Sequence, residues 1–333
     1  MAYTTIDNPE LYFQTKLYTG NNGTQSITFD GSEDMQPDLI WNKARSATEE
    51  PNIWDSVRGT GKGLTVSHNY SDSSWSTGVT SFNSDGWTMG DLDSMNDGSV
   101  TYVAWCWKES ATSGFDIVSY TGNDTARTIS HSLSAVPKMM IMKNLADAAS
   151  WVVYHGSNTS APATDGLNLD TTGATDDDAG YFNDTDPTSS VFSVGTGNTT
   201  NGNSDAIIAY LFAEKQGFSK FGSYEGNNNA DGTFVYTGFS VAWVMVKNID
   251  TGSTKWVIQD SKRSSSSGGN PADARLKPND NTAEEEDSDI DLLSNGFKIR
   301  STGSWTSDAD TFIYMAFAEA PFVNSNGVPC NAR

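Results

Sequence analysis

Tyr18-Thr19-Gly20-Asn21 returns as Tyr120-Thr121-Gly122-Asn123 and again as Tyr224-Glu225-Gly226-Asn227. A lysine follows each tetrapeptide at nearly constant distance. Lys43 lies 25 positions after Tyr18, Lys143 lies 23 after Tyr120, and Lys247 lies 23 after Tyr224. Each lysine ends a run of large apolar residues: Leu39-Ile40-Trp41, Met139-Met140-Ile141-Met142, and Val241-Ala242-Trp243-Val244-Met245-Val246. Anchors that keep their order at a period of about 100 residues are the signature of tandem copies of one structural unit.

The correspondence extends outward from these anchors. Trp151-Val152-Val153-Tyr154-His155 matches Trp256-Val257-Ile258-Gln259-Asp260, and Asp55-Ser56-Val57-Arg58 matches Asp260-Ser261-Lys262-Arg263. Ser84-Asp85-Gly86-Trp87 answers Ser294-Asn295-Gly296-Phe297. The copies close alike, in Lys108-Glu109, Ala213-Glu214 and Ala318-Glu319, and open on Phe13, Phe115 and Phe218. These limits define units at 13–109, 115–214 and 218–319, with a lead at 1–12 and a tail at 320–333. Units of this size match ordinary domains. Short apolar stretches bounded by Gly, Asn, Asp and Ser read as strands and turns. In Thr311–Phe317 the residues Phe312, Tyr314 and Ala316 share one face, and Ile313, Met315 and Phe317 the other. Both faces are apolar, so this strand is expected to be covered on both sides. The fold class expected is all-β: three tandem, homologous, sandwich-like units, arranged about a pseudo-threefold axis.

Net charge is −22. A nucleic-acid binder needs clusters of Lys and Arg that this chain lacks. No apolar run is long enough for a membrane-spanning helix, and the N-terminus lacks a signal-peptide pattern. Cys106 reads as a small buried hydrophobe and Cys330 lies in the tail, so no disulfide or metal framework is indicated. Two acidic segments, 165–187 and 264–289, read as long exposed loops inserted into the second and third units. Asp176, Asp177, Asp178, Asp184 and Asp186 are candidate calcium ligands there, because hard oxygen donors at alternating positions suit that ion, although the EF-hand pattern is absent.

Catalytic patterns are thin. His68, His131 and His155 stand in unlike surroundings, with no zinc-binding spacing, nucleophile elbow or phosphate loop. Thr60-Gly61-Lys62-Gly63 reads as a basic turn, and paired carboxylates for glycoside hydrolysis remain an alternative that only spatial distances decide. The repeat anchors Tyr18, Tyr120, Tyr224, Lys43, Lys143, Lys247, Trp151 and Trp256 are expected to be structural. The lysines are expected to lay their stems on aromatic neighbours while the ammonium groups reach water. Aromatic residues on the surface could instead form a sugar-binding platform. A core position recurs in every copy by necessity, however, and a binding position need not.

Asp7-Asn8-Pro9-x-x-Tyr12-Phe13-Gln14-Thr15-Lys16-Leu17-Tyr18-Thr19-Gly20-Asn21 resembles a group of virion proteins of tailed phages, common in marine and cyanobacterial phages. Asp55–Gly59, Ser84–Trp87, Tyr102–Lys108, Lys220–Tyr224 and Phe317-Ala318-Glu319-x-Pro321-Phe322 extend the likeness over most of the chain. The resemblance implies a non-enzymatic structural part of a phage particle, made in the host cytoplasm and carried on the virion surface. A tail-fibre or receptor-binding appendage is the leading expectation. A capsid decoration protein and a glycan-binding or glycan-cleaving tail protein are the alternatives. Other virion proteins are the expected partners, with a host cell-surface glycan or receptor and a homotrimeric assembly as further expectations. No cofactor is implied beyond the calcium candidate. The first unit begins close to Met1, which speaks against a long shaft.

Overall fold

Strand Thr311–Pro321 is buried along both faces, as its double apolar alternation requires. Ile313, Met315 and Phe317 enter one cluster of buried side chains, and Phe312, Tyr314, Ala316 and Ala318 another. The same division holds in strand Thr101–Trp107, where Val103, Trp105 and Trp107 part from Tyr102, Ala104 and Cys106. It holds again in Ala206–Ala213, with Ile208, Tyr210 and Phe212 against Ala209, Leu211 and Ala213. The chain, described at residues 2–264 and 270–330 of a computed structural model, is all-β and built from antiparallel sheets.

Each stretch of the chain builds one large sheet in the same order. In the first the order is Phe13–Thr19, Thr101–Trp107, Leu39–Ala44, Asn52–Asp55, Lys62–Thr65. In the second it is Phe115–Thr121, Ala206–Ala213, Pro137–Asn144, Val152–His155, Asp165–Asn168. In the third, Ser219–Glu225, Thr311–Pro321, Phe239–Asn248 and Val257–Asp260 repeat it, and Leu276 continues the series through a bridge to Ile258. A smaller sheet covers the outer face of each, closing a private core. The inner faces of all three large sheets meet in a single central core, which holds Trp41, Trp105, Trp107, Trp151, Trp243 and Trp256. A sheet with two apolar faces cannot leave either in water. The sandwich therefore has a second partner, the other two units.

The recurring tetrapeptide is a turn whose parts have separate tasks. The hydroxyls of the buried Tyr18 and Tyr224 and the half-buried Tyr120 donate to the carbonyls of Met95, Thr306 and Thr200 at 3.0, 2.8 and 2.5 Å. A Cβ on Gly20, Gly122 or Gly226 would collide with the carbonyl oxygen of Asp97, Gly202 or Asp308, so only glycine fits. The Asn21, Asn123 and Asn227 side chains each accept from the backbone N–H two residues on, at 2.9, 3.1 and 3.1 Å, which fixes the bend.

Three expectations need correction. Phe13 and Phe115 face Trp107 and Phe212, but the matching slot opposite Phe317 holds Ser219, with Phe218 one residue earlier. Residues 165–187 are not one exposed loop. Leu167 and Leu169 drive strand Asp165–Asn168 into the central core, and Tyr181 and Phe182 of helix Ala179–Phe182 enter the private core of the second unit. In the third unit, Glu285–Leu293 is a strand, since Ile290 and Leu292 are buried; residues 265–269 lie outside the described residues.

Because the central core belongs to all three sheets, unfolding one sheet exposes the inner faces of the others. Scanning calorimetry should therefore show one transition, with calorimetric and van't Hoff enthalpies equal. Three separable transitions would contradict the shared core.

Candidate functional site

The recurring anchors converge on the joints between units, and the joints form a ring. The backbone N–H of Asp72 in the first unit donates to the Leu145 carbonyl of the second at 2.8 Å. Thr175 of the second donates to Ile249 of the third at 3.0 Å, and Glu284 of the third to Arg45 of the first at 2.8 Å. Each donor follows the fifth strand of its unit, and each acceptor lies two residues after the anchor lysine of the next.

The lysines themselves do not reach water. Lys43, Lys143 and Lys247 are 1%, 0% and 0% exposed, which overturns the expectation of a solvated ammonium. Lys43 Nζ donates to the carbonyls of Ala44, Glu49 and, across the joint, Asn281 at 3.1, 2.8 and 3.1 Å. Lys143 Nζ donates to Asn144, Ala149 and, across the joint, Asn69 at 2.7, 2.8 and 3.3 Å. Lys247 Nζ binds the carbonyls of Asn248 and Thr254 and the Thr254 hydroxyl at 2.8, 3.1 and 2.7 Å. Thr254 in turn donates its N–H to Thr172 of the second unit. The lysine curls back because a flexible stem with three donors can gather carbonyls that the turn leaves unpaired. Trp151 and Trp256 work at the same joints. Trp151 Nε1 donates to the Thr65 carbonyl and Trp256 Nε1 to that of Asn168, both in the preceding unit.

A second ring lies deeper. Asp55, His155 and Asp260 hold one register position, opposite Leu39, Met139 and Trp243. Asp55 Oδ2 accepts from Arg58 Nε at 2.5 Å and from the Tyr210 hydroxyl of the second unit at 2.7 Å. Asp260 Oδ2 accepts from Arg263 Nε at 2.6 Å and from Trp105 Nε1 of the first unit at 2.8 Å. His155 Nε2 donates to the Tyr314 carbonyl of the third at 3.1 Å, and its Nδ1 accepts from the Ser157 N–H. Arg58 and Arg263 complete their knots on Asp72 and Glu284, at 3.3 and 2.9 Å. In the second unit the corresponding residues are neutral, Asn158 Oδ1 accepting from the Thr175 hydroxyl at 2.7 Å. Burial pushes His155 down to about 4, so the imidazole is neutral and matches this uncharged version of the knot.

The remaining sequence candidates are dispersed. His68 stacks on Tyr70 with ring centroids 4.6 Å apart, and His131 Nε2 lies 3.1 Å from the Thr188 carbonyl oxygen. Lys62 of the basic turn begins a strand and pairs with Asp72. Asp176 and Asp177 form a two-residue strand, Asp178 caps a helix by accepting from Gly180 N, Asp184 has left-handed backbone, and Asp186 bonds Tyr154. Among the described residues no three carboxylate, histidine or cysteine side chains are gathered to hold a metal ion. Cys106 is buried, Cys330 is exposed, and both are free thiols. Glu109 and Asp116 do meet. Burial and that hydrogen bond push Glu109 up to about 7. Two carboxyls in direct contact are too close for the separations used in glycoside hydrolysis. The matching joint farther along carries an ion pair, Glu214 with Lys220 at 2.7 Å.

Fold and site together define an all-β protein whose buried polar groups are spent on joining three sheets. Within that class the chain belongs to the family described as Domain of unknown function (DUF7483), whose model matches residues 8–321. No curated protein matches it.

The buried lysines give a pH dependence of definite sign. Burial lowers each to about 8, below the ordinary lysine value. Between about pH 8 and 10 the unfolded chain binds more protons than the folded one, so stability rises with pH there. Urea midpoints at pH 7.5, 8.5 and 9.5 should increase, and Lys247→Met should flatten the slope. A falling series would overturn the burial of these ammonium groups. Asp260→Ala removes one of the two carboxylates that hold the buried Arg263 and leaves the Trp105 indole N–H without its acceptor, and should cost about 3–5 kcal/mol. The double change Asp260→His with Arg263→Asn, which copies two of the three residues of the uncharged knot in the second unit, should cost less in the same denaturation assay.

Proposed function

We propose that this chain is a non-enzymatic structural component of a tailed-phage virion, presented at its surface and belonging to the tail as a fibre or receptor-binding appendage. The observation that carries this reading is the closed ring of joints. Asp72 to Leu145, Thr175 to Ile249 and Glu284 to Arg45 tie three double-faced sheets into one block. Such a block holds wide outer surfaces in fixed relation, which suits a part that bears load and displays loops. The sequence resemblance to virion proteins supports the same conclusion. The dense use of Lys, Asp, Arg and His side chains as joint-forming groups supports an architectural role for them over a catalytic one.

Immunogold labelling of intact particles tests the assignment. Label on the tail is the expected result. Label on the head would replace it with the capsid decoration reading, and particles that carry no label would remove the virion reading altogether. Release of reducing ends from host polysaccharide by the purified chain would overturn the non-enzymatic part.

A further inference from the structure

Three copies of one unit act as internal controls for each other, and the third unit departs from the other two at a connected set of surface positions. Its outer edge strand, Phe234–Tyr236, pairs Val235 with Phe297 just as Ile27 pairs with Trp87 and Ile129 with Phe192. The flanking outward positions are Ser26 and Thr28 in the first unit and Thr128 and Ser130 in the second. In the third they are Phe234 and Tyr236, 45% and 54% exposed. Exposed rings where small hydroxyls serve the same fold are not needed for packing.

The difference continues next door. The residue before the carbonyl that holds the anchor tyrosine is Ser94 in the first unit, Thr199 in the second and Trp305 in the third. Trp305 lines an open cleft of about 560 Å³ with Arg275, Asp287, Asp289 and Arg300. Its ring is backed by Arg275 at 4.7 Å and Lys277 at 5.0 Å, and Arg275 is pinned by Glu285, Asp287 and Asp289 at 2.8–2.9 Å. The residue before the matching leucine is Gly63 or Gly166 elsewhere, so the backing cation is also peculiar to this unit. Lys298, the register partner of Phe234, pairs with Asp231, which approaches Arg300 at the cleft wall. Tyr236 is steadied by a hydrogen bond with Tyr3, whose hydroxyl donates to the Gly238 carbonyl at 2.7 Å.

We infer that Phe234, Tyr236 and the Trp305 cleft form a binding site for a neutral oligosaccharide. Phe234 and Tyr236, two residues apart on one face of a strand and so about 6.8 Å apart along its backbone, offer flat apolar faces to successive sugar rings. Carboxylates and guanidinium groups beside them supply strong hydrogen bonds to vicinal hydroxyls. The core of a protein interface is depleted in charge, whereas Phe234 is paired in register with Lys298, Lys298 with Asp231, and Arg300 lines the Trp305 cleft, which suits a hydrated polyol. The flanking charges compensate one another in ion pairs, and a chain of net charge −22 repels a polyanion. The inference deepens the surface-component reading, yet it stands or falls separately, since sugar binding is measured without particles.

The test uses the full chain, titrated by calorimetry with maltohexaose, cellohexaose, laminarihexaose and mannohexaose, and with polygalacturonate as the anionic control. Trp305→Ser and the double variant Phe234→Thr with Tyr236→Ser install residues that the other units already carry, so both should fold with unchanged Tm. The expected result is saturable binding of at least one neutral hexamer, weakened about tenfold or more in each variant, which corresponds to about 1.4 kcal/mol. Four results would overturn the site: no heat from any neutral hexamer at millimolar concentration, preference for polygalacturonate, undiminished binding in both variants, or a wild-type self-association that the variants abolish.

Discussion

The structure depends on strands that are apolar on both faces. Trp105 and Trp107 point into a core shared by three sheets, while Tyr102, Ala104 and Cys106 of the same strand point into a private one. Neither face can be left in water, so a large sheet and its cover are not a sufficient body by themselves. The central core is the common property of three units, and its wall of tryptophan is contributed from all of them. Of the polar groups carried to this core, Asp55, His155 and Asp260 find partners across a joint, whereas the indole N–H groups of Trp41, Trp107 and Trp243 have none among the described residues.

That requirement explains the side-chain chemistry of the joints. Asp55 and Asp260 each use one oxygen for an arginine in their own unit and for a donor from a neighbour, Tyr210 or Trp105. Where the neighbour supplies Met315, which cannot donate, the position holds His155, and the imidazole turns to the Tyr314 backbone instead. The arginine is replaced by Asn158 and its acid by Thr175, so the whole knot loses its charges together. A buried carboxylate without its guanidinium would be costly, and the substitution is coherent for that reason. The outer surface obeys no such constraint, and there the units are free to diverge, as Phe234, Tyr236 and Trp305 do.

Much of this was legible beforehand. The two-sided alternation of Thr311–Phe317, the tyrosine–glycine–asparagine turn and the correspondence of Asp55, His155 and Asp260 are visible in the residues themselves. In the acidic segments charge masks a short alternation: Leu167 and Leu169, or Ile290 and Leu292, mark strands within polar surroundings. Trp305 gives no signal of its own, because a tryptophan in a polar loop carries no period. Only its alignment with Ser94 and Thr199 shows it to be out of place.

By itself the sequence determined the local structure: where strands run, which residues alternate, where glycine must close a turn, and that the pattern occurs three times. These follow from the two-residue period of a strand and from steric limits on the backbone, both of which act over short stretches. Only the tertiary structure decided that Lys43, Lys143 and Lys247 are buried beneath carbonyls of the preceding unit in the ring or beside its contacts, and that Tyr210 and Trp105 serve carboxylates 155 residues away. The physical reason is that a strand's pattern states that a face must be covered but carries no record of which surface covers it.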